Sequence, residues 1–290
     1  PALVKFNTND NFYTGFTSDD AHDLRFTESD STTLLNYEIE KWNTNGESFV
    51  WVQIPELTHN CSIWAYWGSA SAVQPAYATN GATWSEGYVG VWHMNNDGGT
   101  GIHEDSVSTN DATEVSDTVT IAGMIGDAQE FDGNSDEMLV ANESNFDFVN
   151  SMSIEVWTKV AAFDTQWQAL VCKGEGSEWR FHRYSNGNFM NFSANGEVTG
   201  GTAINDGAWH HLVVNKSTVS GAQIYENGDI DGNNSGATGT IALNDMQVRI
   251  GENPDSESRE WEGIIDEVRI SSVVRSSNWV WACYQNQGAN

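Results

Sequence analysis

At 290 residues the chain is long enough for one large domain or two ordinary ones, and 39% hydrophobic and 11% aromatic residues suffice for packed cores. Lys and Arg number 12 against 41 Asp and Glu, a formal charge of -29 that opposes binding to nucleic acid and to anionic lipid. What the charge leaves is a solvated acidic surface, solubility in salt water, or the binding of cations.

The first residues, Pro1-Ala2-Leu3-Val4-Lys5-Phe6, have no basic segment and no cleavage pattern. They read as the start of an excised or mature segment of a larger gene product. No run of 18 apolar residues occurs, so no transmembrane helix is expected. Short alternating segments separated by Gly, Asn, Asp and Ser follow, and no long stretch has helical period. Residues 49–54 are predicted as a strand stopped by Pro55, and 61–67 as another stopped by Gly68. The small polar residues 79–87 mark a domain boundary, placed between 84 and 85. Strand patterns resume at 169–173, 179–184, 213–215 and 223–225. Asn227-Gly228 has the residue types of a two-residue hairpin turn, because both tolerate positive φ. Strands spaced so regularly predict an all-β sandwich. Cys61, Cys172 and Cys283 are an odd set. At least one is unpaired within the chain, and a Cys172–Cys283 bridge is left open because geometry decides it.

Three segments carry a family resemblance: Gly126-Asp127-Ala128-Gln129-Glu130-Phe131-Asp132-Gly133, Ser153-Ile154-Glu155-Val156-Trp157-Thr158 and Gly263-Ile264-Ile265-Asp266-Glu267-Val268-Arg269-Ile270-Ser271. Their order and spacing resemble laminin-G-like, concanavalin-A-like jelly rolls. Tyr88-Val89-Gly90-Val91-Trp92-His93-Met94 looks like the first strand of that fold. The resemblance implies a jelly-roll sandwich over residues 85–290, with Trp92, Trp157 and Trp209 at core strand positions. Residues 1–84 form the first domain, of which roughly 1–78 resemble a small family of uncharacterised β domains, through Asp23-Leu24-Arg25-Phe26-Thr27, Tyr37-Glu38-Ile39-Glu40-Lys41-Trp42, Trp51-Val52-Gln53-Ile54-Pro55 and Ile63-Trp64-Ala65-Tyr66-Trp67-Gly68. Such domains sit directly before laminin-G-like domains in surface and secreted prokaryotic proteins. This second resemblance implies a small β-sandwich and an extracellular or cell-surface location, but no chemistry.

Catalysis on a jelly roll would be glycosidase or lyase chemistry, which needs paired carboxylates. The Glu-x-Asp-x-Glu strand of concanavalin-A-like glucanases is absent. Asn227-Gly228-Asp229-Ile230-Asp231 lacks the closing Glu, and Glu38-Ile39-Glu40 lies in the first domain. No Gly-x-Ser-x-Gly elbow occurs. His210 and His211 are adjacent on a strand and point to opposite faces, which disfavours a shared metal ion.

Calcium takes oxygen ligands, and the polar loops supply them. The resemblance implies a structural calcium with Asp266 and Asp105 first and Asp132 third. Val107 replaces the glycine expected after Asp105-Ser106, and turn capping is the alternative role for these acids. Glu252 and Asp255, in the acidic loop 251–260, resemble a pentraxin calcium loop, with a plain solvated loop as the alternative. Sugar binding needs aromatic platforms beside hydrogen-bonding groups. Trp167, Trp179 and Trp261 flank polar loops, and alternation along 179–184 puts Arg180, His182 and Tyr184 on one face. With Lys173 and Arg183 nearby, that face suits an anionic sugar, against a plain solvent-facing sheet.

These readings lead to a non-catalytic extracellular carbohydrate-binding module, acidic polysaccharides included among its ligands, with calcium as a structural or ligand-bridging ion. An adhesive or structural cell-surface protein, such as a filament or stalk subunit, is the alternative. A divergent polysaccharide-degrading enzyme, or an accessory region of a larger one, is the second.

Overall fold

The computed structural model of the chain describes residues 1–7, 12–17, 19–58, 61–95 and 98–288. It divides into two compact units, Pro1–Glu86 and Gly87–Gly288, a limit two residues beyond the one placed on the sequence.

The first unit holds two three-stranded antiparallel sheets. One runs β1 (Ala2–Phe6), β5 (Ser48–Val52), β4 (Tyr37–Lys41), and the other β3 (Leu34–Leu35), β2 (Arg25–Thr27), β6 (Trp64–Tyr66). Phe26, Leu35, Tyr37, Val50 and Val52 form the core between them. β5 is the central strand of its sheet and is buried along its whole length, on both faces, which is why it reads as an apolar run and not as an alternating one. The acids Glu38 and Glu40 accept hydrogen bonds from the indole N–H groups of Trp84 and Trp51, the latter at 2.7 Å.

The second unit is a sandwich of two eight-stranded antiparallel sheets. The first sheet contains β7 (Tyr88–Trp92), β10 (Val119–Ala122), β11 (Asp127–Asp132), β13 (Ser151–Lys159), β18 (Trp209–Ser217), β19 (Gly221–Glu226), β20 (Asp229–Asn234) and β22 (Glu262–Ser271). The second contains β8 (Ile102–His103), β9 (Ala112–Glu114), β12 (Met138–Val140), β14 (Ala169–Cys172), β15 (Arg180–Arg183), β16 (Met190–Ser193), β17 (Glu197–Thr199) and β21 (Arg249–Ile250). Its order is β17-β16-β15-β14-β21-β12-β9-β8. Between the sheets Trp92, Phe131, Ile154, Val156, Phe181, Phe192, Leu212, Val268 and Ile270 interdigitate. The turn between β19 and β20 holds Asn227 at φ 49° and Gly228 at φ 86°, the primed geometry expected of an Asn-Gly hairpin.

The far side of the first sheet is covered by a helix, α1 (Ser277–Gly288), that the sequence reading did not predict. Its buried positions are Val280, Cys283 and Gln287, the last of them polar, and exposed Trp281 breaks the apolar stripe that marks a helix. Beneath it lies a buried ionic layer. Arg269 donates to Glu155 at 2.8 Å and to Glu267, and His211 meets Glu155 at 3.1 Å. Gln287 donates to Glu155 at 3.1 Å and accepts from the Trp157 indole at 2.7 Å. A register slip between β13 and β22, with Glu267 at φ 54°, brings these charges to one face.

Two core assignments change. Trp157 is buried, but under the helix beside His211 and Tyr284 and not between the sheets. Trp209, at the start of β18, is only half-buried. The three cysteines are free thiols; Cys172 lies in the second sheet and Cys283 in the helix covering the first. Among the described residues no helix is long and apolar enough to cross a membrane.

Candidate functional site

Four of the six residues predicted to bind ligand come together on the outward face of the second sheet. In β15, Phe181 turns into the core, so Arg180 and His182 turn away from it. The Trp167 ring lies against them: its centroid is 5.6 Å from that of His182, 5.6 Å from that of Tyr184 and 5.7 Å from the Arg180 guanidinium carbon. Tyr184 in turn stacks on Phe189 at 5.8 Å. Trp167 is half-buried and has φ 64°, a left-handed conformation uncommon for a bulky residue. Its backbone N–H donates to Ser185, which locks the turn.

Two predicted ligand residues are elsewhere. Trp179 and Trp261 are buried in the core between the sheets. Trp179 is one position before Arg180 and so points the other way, donating its indole N–H to Phe146 at 3.3 Å. Trp261 packs against Phe163 at 5.6 Å.

The cations near this face are already paired. Glu175 takes Arg180 on one oxygen and Arg259 on the other, the latter at 2.7 Å, and accepts from Asn253 at 3.2 Å. Lys173 is buried against Asp147 and Glu143 at 2.7 and 2.8 Å. Arg183 donates to the carbonyls of Gly187 and Thr165 and lies 4.6 Å from the Phe163 ring. Glu175, Arg259, Asn253 and Gln168 were missed by sequence reasoning. They meet through loop folding across roughly eighty residues of chain, which no local pattern encodes. The loop 251–260 lies along β14, with Ala169 N–H donating to Arg259 and Gln168 donating to Glu260.

His182 is 1% exposed. Burial, reinforced by the Arg180 charge, lowers its pKa to about 3, so the ring is neutral at physiological pH. Its Nδ1 is 2.7 Å from the Arg183 carbonyl, which makes Nδ1 the protonated nitrogen and leaves Nε2 an acceptor. The Gln168 Oε1 is a second buried acceptor without a hydrogen-bond donor. Glu252 is also buried. Burial, with Glu260 and Glu137 nearby, raises its pKa to about 7 against the lowering effect of the Asn253 and Arg259 backbone N–H groups.

The five acids named for calcium do not come together in one cluster; only Glu252 and Asp255 share a loop. Asp105 accepts the N–H groups of Val91 and Val107 on one oxygen and those of Ser108 and Asn110 on the other. Asp132 caps Asn134 and Ser135, and Asp266 accepts from Met124 and Ile125 at 2.8 and 3.0 Å. Glu252 accepts from Asn253 and Arg259, and Asp255 is exposed. Donors aimed at these oxygens place positive dipole ends where a cation would sit, which favours turn capping over ligation. Among the described residues none of the five joins two further acids, histidines or cysteines within ligating reach. His210 and His211 keep separate partners, Glu226 and Asp206 for one and Glu155 for the other. Asp231 caps Gly201 and Thr202.

No curated protein matches the chain. Solved structures similar to it include the binding domain of Paraclostridial Mosquitocidal Protein 1, at TM-score 0.57 and 11% identity, over 69% of this chain and 52% of that one. The chain thus spans about half of that toxin domain. Domain 4 of AbnA, a GH43 extracellular arabinanase from Geobacillus stearothermophilus solved with arabinotriose, aligns at TM-score 0.55 and 17% identity over 69% of this chain and 98% of that one. A Trypanosoma rangeli sialidase aligns at TM-score 0.52 and 13% identity, over 70% of this chain and 33% of the enzyme. At these identities the likeness establishes the fold. Residues 20–88 match the model of a domain of unknown function (DUF2341). Residues 132–280, just over half of the chain, match the model of the concanavalin A-like lectin/glucanases, and the chain belongs to that superfamily.

Proposed function

We propose that the protein is a non-catalytic glycan-binding module of the cell exterior, and that its ligand is a neutral sugar seated on Trp167. The observation that carries this reading is the Trp167 ring, held half-exposed at φ 64° beside Arg180, His182 and Tyr184. A tryptophan kept in an unfavourable backbone conformation at a surface needs a reason outside the core. An aromatic face beside the partly exposed Arg180 and Tyr184 is what the C–H face and hydroxyls of a pyranose or furanose require. The similar arabinanase domain, solved with arabinotriose, supports the same ligand class.

The acidic ligand expected from the sequence is replaced by a neutral one. Arg180 and Arg259 share Glu175, and the loop that carries Arg259 adds Asp255, Glu257 and Glu260. An anionic sugar would meet guanidiniums already engaged by Glu175 and by backbone carbonyls, in acidic surroundings that repel it. Catalysis is disfavoured for a related reason: two guanidiniums bind Glu175, which unfits it as a nucleophile or base.

Calorimetric titration with arabinotriose and other neutral oligosaccharides tests the reading. Trp167→Ala should weaken binding about tenfold, in line with ~1–1.5 kcal/mol for a stacked aromatic. Equal affinity in parent and variant, or binding of uronic-acid oligosaccharides alone, contradicts it. A parent that binds no sugar but captures a surface protein supports the adhesive alternative. Release of reducing ends from the polymers supports the enzymatic one.

A further inference from the structure

We propose that the Trp64–Tyr66 face of the N-terminal unit is a second binding surface, for the apolar face of a neutral polysaccharide chain. In β6, Ala65 packs with Phe26 and Leu35 against the core, so Trp64 and Tyr66 point outward together. They are 53% and 43% exposed. Sheet register sets Thr27 of β2 beside Trp64, Leu34 of β3 beyond it, and Arg25 beside Tyr66. Leu34 is itself 57% exposed.

Among the described residues, the core of this unit does not draw on these two rings. The core is formed by the opposite face, and a solvated strand position is served as well by Thr or Lys. The polar groups of the face are arranged to leave it flat. Arg25 donates to the carbonyls of His22 at 2.9 Å and Val73 at 2.6 Å, and Thr27 donates to the Glu28 carbonyl at 3.0 Å. The row Leu34, Thr27, Trp64, Arg25 and Tyr66 carries no carboxylate, although acids far outnumber bases in residues 1–86.

Size and charge select the occupant. Two half-exposed aromatic side chains offer roughly 200 Å² together, from ~150–250 Å² for each when fully buried. A stable protein interface needs ~800 Å² per partner, so a second copy or a protein partner is too large for this face. Residues i and i+2 of a strand are about 7 Å apart, which lets the two rings lie under one extended chain. The acidic surroundings repel a charged polymer and leave a neutral one.

The test uses the full chain. Affinity electrophoresis with arabinan, galactomannan and mixed-linkage glucan, and co-sedimentation with cellulose and chitin, compare the parent with Trp64→Ala/Tyr66→Ala, Trp64→Phe and Trp167→Ala. At least one polymer should bind the parent. The double alanine variant should lose about tenfold or more in affinity for it, with unchanged melting temperature and sedimentation coefficient, while Trp64→Phe keeps most of it. Made also in the Trp167→Ala background, the double alanine change should remove the polymer binding that remains there, which separates this surface from the Trp167 site, so either fails without the other. The proposal is overturned if no polymer binds the parent or if the double variant binds every polymer as the parent does. It is equally overturned if the parent self-associates through this face and the variant does not.

Discussion

Trp167 and Trp179 show how much one residue's parity decides. Both flank polar loops in the sequence, yet Trp179 is buried beside Phe146 and Trp167 stands half-exposed over His182. The buried charges are as position-dependent. Burial opposes ionisation of Glu155, but Arg269, His211 and Gln287 hold its pKa below the ordinary glutamate range. Such a depressed pKa stabilises the fold above the unfolded value, and that contribution is lost as pH falls through the acid range. Glu155→Ala removes the carboxylate shared by Arg269, His211 and Gln287 beneath the helix, leaving Arg269 with Glu267 alone, and should cost ~3–5 kcal/mol in urea unfolding. Glu252 behaves in the opposite sense. Its pKa is raised to about 7 by burial, so the native state holds a proton that the unfolded state releases at lower pH. Its contribution is greatest below the ordinary glutamate pKa and declines as pH rises towards 7. Melting temperatures of Glu252→Gln across that window should decline less than those of the parent, and an identical slope would show that Glu252 does not titrate there.

At the scale of elements, β15 and the β19–β20 hairpin were legible in the sequence and α1 was not. Alternation in 179–184 placed Arg180 and His182 on one face, because strand parity is local. Asn227-Gly228 announced its turn because positive φ restricts residue choice, and the structure has φ 49° and 86° there. Gly228→Ala should therefore destabilise by about 1 kcal/mol or more, since it adds strain and sets a methyl 3.1 Å from the Tyr284 ring. A circular-dichroism melt measures it, and an unchanged midpoint would contradict this account of the hairpin. The helix was illegible because its buried face mixes Val280 and Cys283 with Gln287, whose partners Glu155 and Trp157 lie some 130 residues away. Glu175 meets Arg180 from only five residues away, but its contacts with Arg259 and Asn253 of the loop 251–260 are long-range, so their convergence on one carboxylate was not legible in the sequence.

For the whole molecule, a charge of -29 and two β units point to one expectation about ions and one about ligands. The acids best placed for calcium accept backbone N–H groups, so EDTA should leave the melting temperature unchanged; a fall in chelator reversed by calcium would restore a structural ion. Binding of a neutral sugar at Trp167 involves no release of counter-ions, so it should be nearly independent of salt between about 50 and 500 mM. The most direct measurement is a glycan array of neutral, carboxylated and sulfated oligosaccharides, probed with the parent and Trp167→Ala. The account predicts signal confined to neutral glycans and lost in the variant. Signal on acidic glycans, or a pattern unchanged by Trp167→Ala, would contradict it.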